Sequence, residues 1–297
     1  MLSKYYHSNQ NMTQVESKVD INVISALLDD LMKEYHEVGM SQISPGGTLG
    51  VFFEVILGKK RKFVKTHLPG IKYQNNLIKE IDVMSHIYKN TLEIVRKDVV
   101  INRMAYTFMI MDYLQPADGV TGLDEVRMYI STYQQQLSEA KVSANYSFDE
   151  ILKAASDSLE LLFADAFFSK YIYMQCKNSI ERVGDKANRL KPVICHGDLS
   201  NVNIMRTLDG NPVVIDWEDL LTAFPEYDFL YWLTFFSQRK YYSDNIFEKY
   251  NIDKIWGTDV MVLITIIKSR LSYENESYKK NSLSFQDRII EIYNIVN

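Results

Sequence analysis

Apolar positions along the chain follow two periods, and the change from one to the other divides it. Ile24, Leu27, Leu28, Leu31 and Tyr35 share one helical face. A strand beginning near Leu49 turns at 58–61 and returns through Phe63-Val64-Lys65, which predicts a hairpin. Leu77, Ile81, Met84 and Tyr88 again have helical spacing, and 99–102 with 107–111 predict a second hairpin. From Gly122 onward the period is helical: Leu123, Val126, Ile130, Tyr133 and Leu137 form one stripe, and Phe148, Ile151, Leu152, Ala155, Leu159, Leu162, Phe163 and Ala166 form another. A further helical run reaches about Val183, where Gly184 is placed to end it.

Short apolar strands then interrupt the helices at Val193–Cys195, Ile204–Arg206 and 213–215, the last two folded together by an Asp209-Gly210 turn. The run F-P-E-Y-D-F-L-Y-W-L-T-F-F is apolar on nearly every side and predicts a buried helix from near Glu226. Residues 253–297 predict amphipathic helices, and the most apolar stretch, 260–267, is far too short to span a bilayer. Residues 1–20 are polar and patternless. The expected class is α+β, with a small antiparallel sheet and helix first and a mainly helical body after it.

Composition narrows the partners. At 297 residues, 46% apolar and 24% charged, the chain has the balance of a folded soluble protein. A net charge of -5 argues against broad nucleic-acid binding. Lys59-Lys60-Arg61-Lys62 reads as a solvated hairpin turn. Cys176 and Cys195 are too few for a disulfide framework or zinc site, and the N-terminus lacks the apolar core of a secretory signal. A cytoplasmic location without membrane attachment is the expectation.

The chemistry concentrates in 193–219. Buried strands this short force His196, Asp198, Asn203 and Asp216 into the mouth at their ends. Two carboxylates and a carboxamide there suit a hard, oxygen-ligated cation such as Mg²⁺, with one carboxylate left as a base. The segment H-G-D-L-S-N-V-N followed by I-D-W-E resembles the catalytic and metal-binding signature of the aminoglycoside phosphotransferase and choline kinase superfamily.

The resemblance implies a bilobal protein-kinase-like fold: an extension at 1–20, an N-lobe at 21–113 and a C-lobe at 114–297. It implies Asp198 as catalytic base, Asn203 and Asp216 as metal ligands, and Lys65 as the phosphate-binding cation paired with Glu80 on the next helix. Glu80 stands beside that helix's apolar stripe, where an unpaired charge is costly, while Asp82 lies one face over. Gly46 and Gly47, with Gly50, precede or open the first strand and are candidates to approach a phosphate, although a Pro-Gly-Gly segment is by itself usually just a turn. Met111 and Tyr113 flank the expected hinge at 112–116, whose backbone binds adenine in the family. His196 and Asp228 are implied as structural support for the catalytic loop.

The function so implied is a Mg²⁺-dependent transfer of the γ-phosphate of ATP or GTP to a hydroxyl of a small molecule: an aminoglycoside, a choline-like amino alcohol or a sugar. Glu218 and Asp219 either attract an amine-bearing acceptor or start a helix; Tyr231 and Trp232 either supply a cation–π face or fill the core. The alternatives are a catalytically inactive kinase fold that binds nucleotide or a partner, and a metal-dependent hydrolase using His196, Asp198 and Asp216. No G-x-x-x-x-G-K-[ST] occurs, which excludes a phosphate-binding-loop NTPase.

Overall fold

Helix α1 (Ile21–Glu34) buries Val23, Ile24, Leu27 and Leu31, residues whose spacing places them on one face. The computed structural model describes residues 21–35, 38–44, 50–67, 71–117, 122–140, 142–242 and 245–295. The helix lies against a five-stranded antiparallel sheet of β1 (Val38–Ser44), β2 (Gly50–Leu57), β3 (Lys60–His67), β4 (Ile94–Ile101) and β5 (Met104–Asp112), ordered β1-β2-β3-β5-β4. Strand β1 has no counterpart among the predicted elements. The β2–β3 turn is only Gly58-Lys59, since Lys60 already pairs with Leu57. Asn102 and Arg103, both at positive φ, close the β4–β5 hairpin.

The two sheet faces bury different partners. Phe53, Val55, Leu57, Val64, Phe108 and Ile110 pack with α1 in one core. Met109 and Met111 belong instead to the main core, which runs through α2 (Ile71–Ile87) into the helical body. On β3 this alternation sets Lys65 opposite in facing to Val64, on the α2 side.

The body contains α3 (Leu123–Glu139), α4 (Phe148–Ala164), α5 (Lys170–Ala187), α6 (Tyr227–Leu233), α7 (Ile246–Lys249), α8 (Lys254–Glu274) and α9 (Phe285–Tyr293). Helix α5 runs through Gly184 to Ala187, so that glycine does not end it. Packing favours continuation: Val183 is fully buried, and a Cβ on Gly184 would only touch the Leu152 side chain at 3.7 Å. Helix α8 is not amphipathic as expected. Its residues from Trp256 to Ile267 are buried on every side, because α4, α5, α6 and α9 all pack on it. No helix among the described residues is long and apolar enough to cross a membrane.

Short strands build the floor of the cleft. β6 (Gln115–Pro116), β9 (Ile204–Arg206) and β10 (Pro212–Val214) form one sheet; β7 (Tyr146–Ser147), β8 (Val193–Cys195) and β11 (Leu221–Ala223) form another. The expected class, α+β with an antiparallel N-lobe sheet and a mainly helical C-lobe, is the observed one.

Candidate active site

The loop after β8 is held by one buried carboxylate and one glycine. Asp228 on α6 is fully buried and accepts from His196 N–H (2.8 Å), Gly197 N–H (3.0 Å) and the Tyr133 hydroxyl (2.6 Å). Gly197 has φ of 84°, and a Cβ there would stand 2.0 Å from the Asp219 carbonyl oxygen, so only glycine fits. His196 Nε2 lies 2.8 Å from the Ile215 carbonyl and Nδ1 accepts from Asp198 N–H at 3.3 Å. Those partners assign the hydrogen to Nε2 and leave neither ring nitrogen for a metal.

Asp198 leaves that loop with its carboxylate accepting from the Tyr231 hydroxyl. Burial, followed by the Asp198 charge, holds Tyr231 well above its ordinary range, so it stays a donor. Asn203 donates its side-chain N–H to the Asp198 carbonyl at 2.9 Å, which leaves its oxygen as the end with ligand chemistry. The Asn203 carbonyl accepts from Ile215 N–H (2.9 Å), so the residue after Ile215, Asp216, stands next to Asn203 across the β9–β10 hairpin. Asp216 sits at φ 70°, a left-handed conformation that costs a non-glycine residue about 1–2 kcal/mol. Its N–H donates to Glu80 Oε1 at 3.2 Å, a bond that helps hold it there.

Lys65, 3% exposed, joins the sheet to this loop. Its ammonium donates to Glu80 Oε2 (2.7 Å) and to Asp216 Oδ1 (2.8 Å). Burial alone would lower the Lys65 pKa, but Asp216 and Glu80 outweigh it and hold it above the usual lysine range. Glu218, in the 3₁₀ turn Trp217–Asp219, is pushed up to about 8, first by burial and then by Asp216. Glu80 and Asp216 set two carboxylates against the one Lys65 ammonium, an excess of negative charge that is the electrostatic complement of a divalent cation. Two oxygen ligands from Asn203 and Asp216, with the remaining positions left for water and phosphate, fit Mg²⁺.

The other expected residues fall as follows. Gly46 and Gly47, and the strand start near Leu49, lie outside the described residues, as does the 1–20 extension. Met111 is buried near the end of β5, and Tyr113 follows it with its ring 3.9 Å from the Arg61 guanidinium. The basic run is not wholly a solvated turn: Lys62 is buried and bonds Glu93 (2.7 Å) and Asp112 (2.9 Å) beside the hinge. Glu218 and Asp219 start no long helix; both are buried in the 3₁₀ turn. Trp232 is core, with its indole N–H on Asn201 Oδ1 at 2.7 Å. The helical stripes included Tyr88 and Tyr133 but gave no sign of their hydroxyl contacts, and Asn145 was not singled out. Asn145 donates to the Glu218 carbonyl (2.8 Å), bracing the 3₁₀ turn, and Tyr88 accepts from Val214 N–H (2.7 Å), bracing the end of β10. Each is a polar tip on a helix stripe or loop with no spacing to mark it.

Residues 164–254, which include the whole 196–219 region, match the family model described as Phosphotransferase enzyme family. No curated protein matches the chain. Among solved structures, an aminoglycoside phosphotransferase APH(4)-Ia in ternary complex with AMP-PNP and hygromycin B is 13% identical. It covers 91% of this chain and 98% of its own, with a TM-score of 0.63. The choline kinase LicA from Streptococcus pneumoniae is 13% identical over 93% of this chain and 99% of its own, at a TM-score of 0.56. A Plasmodium vivax ethanolamine kinase is 14% identical over 90% of this chain and 83% of its own, at 0.50. The likeness to the aminoglycoside phosphotransferase and choline kinase superfamily thus holds in the family signature and in the fold.

Proposed function

We propose that this chain is a Mg²⁺-dependent phosphotransferase that moves the γ-phosphoryl group of ATP or GTP to a hydroxyl of a small molecule. The observation that carries the reading is Lys65, bonded at once to Glu80 and to Asp216, directly beside the Asp198–Asn203 loop. A purely structural salt bridge has no use for a second carboxylate held in strained backbone. Phosphoryl transfer asks a protein for positioning and charge neutralisation, and these residues are arranged for both.

Asp216 and Asn203 would hold Mg²⁺, which supplies neutralisation of the phosphate oxygens. Lys65, oriented by Glu80, offers its ammonium to the same oxygens. Asp198 receives the acceptor hydroxyl's proton as the new P–O bond forms and the bridging P–O bond of the nucleotide breaks. Tyr231 and the Asp228-held backbone fix the direction in which that carboxylate points. The backbone beside Met111 and Tyr113 is the segment proposed to take the nucleotide base. The buried free thiols Cys176 and Cys195 fit a reducing compartment, and we place the protein in the cytoplasm.

Asp198→Asn keeps the shape of the loop and removes the base. It is expected to cut ADP release roughly 10²–10⁴-fold while Mg²⁺–nucleotide binding stays near wild type. Wild-type turnover in that variant overturns the assignment, and absence of Mg²⁺-assisted nucleotide binding in the wild-type chain overturns the whole reading.

A further inference from the structure

Two cations of the basic run hold consecutive hinge residues, Lys62 on Asp112 and Arg61 on Tyr113, and neither has a task in the reaction described above. Lys62, on β3, is 6% exposed; its ammonium donates to Glu93 Oε2 (2.7 Å) and to Asp112 Oδ1 (2.9 Å). The two acids are also joined to each other through the main chain. Glu93 N–H donates to Asp112 Oδ2 (2.8 Å), and Asp112 N–H donates to the Glu93 carbonyl (3.2 Å). Asp112 is the last residue of β5 and Glu93 the last before β4, so one carboxylate ties β3, the start of β4 and the entry to the hinge. Beside it, the Arg61 guanidinium lies 3.9 Å from the centre of the Tyr113 ring and is itself held by both Glu54 oxygens (2.7 and 2.6 Å).

Side chains alternate along β3, so Lys62 shares the facing of Val64, on the α1 side, and Lys65 has the other. Lys62 therefore reaches Asp112 from the reverse of the face that carries Lys65 to Asp216. Packing alone does not fix the two hinge residues. Asp112 and Tyr113 both border a cavity of about 440 Å³ whose other walls include Lys60, Thr91 and Leu208. Polar contacts are what set their position. Burial alone would raise the Asp112 carboxyl, but Lys62 and the Glu93 N–H outweigh it and hold it below the ordinary carboxylate range. Each of its oxygens takes a bond from a different neighbour, so turning the hinge entry breaks charge-assisted bonds. Glu93 and Asp112 are 54% and 40% exposed at their side chains, and pairs with acids this exposed add little net stability. The consequence of the clamp is geometric.

We infer that Lys62 is a positioning residue for the nucleotide base: through Asp112 it fixes the main chain between Met111 and Tyr113 in the arrangement that receives the base. The inference rests on the phosphotransferase reading above for the presence of a nucleotide; the clamp itself rests on the contacts of Lys62. Strand β3 then serves both ends of the nucleotide from opposite faces, with Lys65 at the phosphates and Lys62 behind the base. The two lysines stand about 10 Å apart along the strand, at roughly 3.3 Å per residue. Lys62 touches the hinge and not the phosphate end, so its loss is felt by a ligand that carries a base and not by one made of phosphate alone.

The test is calorimetric titration of the full chain with Mg²⁺–ATP and with Mg²⁺–tripolyphosphate, on wild type, Lys62→Met and Asp112→Asn. Methionine keeps the lysine stem, and the two half-exposed acids can turn to water once the ammonium is gone, so K62M is expected to fold. Asparagine keeps the shape of Asp112 and one accepting oxygen. ATP affinity is expected to fall on the order of tenfold in K62M and several-fold in D112N, as charge-assisted bonds are lost. Tripolyphosphate affinity is expected to stay within about twofold in all three proteins. A lowered Tm in K62M with ATP binding unchanged makes Lys62 structural only and overturns the inference. An equal fall for tripolyphosphate overturns it too, because the effect then belongs to the whole cleft. Wild-type ATP binding in D112N beside weakened binding in K62M removes Asp112 from the path and also overturns it. Should K62M not fold, the D112N titration decides by the same criteria. A wild type that binds no Mg²⁺–ATP takes down the phosphotransferase reading and the inference together, whereas equal ATP binding by all three proteins takes down the inference alone.

Discussion

Asp228→Asn is the substitution that most directly probes how the loop after β8, with the proposed base Asp198, is held. The carboxylate accepts two hydrogen bonds on Oδ2, from Tyr133 and His196, and one on Oδ1, from the Gly197 N–H. A carboxamide has the same shape but only one accepting oxygen. With that oxygen in the Oδ2 place, its NH₂ group faces the Gly197 N–H, donor against donor. The unmatched buried N–H costs about 1–3 kcal/mol, and the two surviving bonds lose about 1 kcal/mol each as they become neutral. The sum is about 3–5 kcal/mol, or a fall in Tm of roughly 6–10 °C at about 2 °C per kcal/mol for a chain of this size. Tyr133→Phe removes one of the three bonds and is expected to cost about 1–2 kcal/mol, which calibrates the scale. Thermal unfolding gives the stability and ADP release gives the catalytic consequence, which is a lowered kcat with nucleotide affinity largely kept. An Asp228→Asn protein that melts within 2 °C of wild type, roughly the effect of 1 kcal/mol, and turns over normally refutes the brace.

Two further expectations come from the same neighbourhood. Gly197→Ala places a Cβ 2.0 Å from the Asp219 carbonyl at φ 84°, and nothing flexible can yield. It should destabilise by about 3 kcal/mol or more, and a wild-type urea midpoint contradicts this. His67 is lowered to about 3, first by burial and then by the Lys65 charge, with Nδ1 3.0 Å from the Tyr73 carbonyl. Below the unfolded value of about 6.5, the unfolded chain binds a proton that the folded chain refuses. Stability is therefore lost as pH falls from about 6.5 toward 3, by up to about 1.4 kcal/mol per pH unit. His67→Gln should flatten that slope in urea midpoints taken at pH 7, 6 and 5; identical slopes in both proteins contradict the burial account.

Much of this arrangement was legible because it is local. The Asp198-to-Asn203 spacing and the Asp209-Gly210 turn bring Asn203 and Asp216 side by side through the pairing of β9 with β10, which needs no long-range knowledge. Glu80 was legible because a carboxylate beside a buried stripe must find a cation, and the β3 register delivers Lys65 to it. Strand β1 was not legible, since its residues Val-Gly-Met-Ser-Gln-Ile-Ser lack a clear two-residue alternation. Among the described residues it pairs only with β2, as an edge strand whose apolar demand is low. Lys62 was misplaced for a related reason. A run of four cations reads as solvent-facing, yet the two-residue turn starts β3 at Lys60 and carries Lys62 inward to Glu93 and Asp112.

Lys268 shows why pattern alone could not choose between core filling and a cation–π face for Tyr231. As a core residue Tyr231 is 3% exposed, and as a cation–π partner it holds an ammonium at 3.7 Å. The two are compatible because the cation comes from the chain. Lys268 sits within α8, a helix buried on nearly every side, where helical periodicity assigns it to no polar face. Its position over that ring is fixed only when α6 and α8 cross.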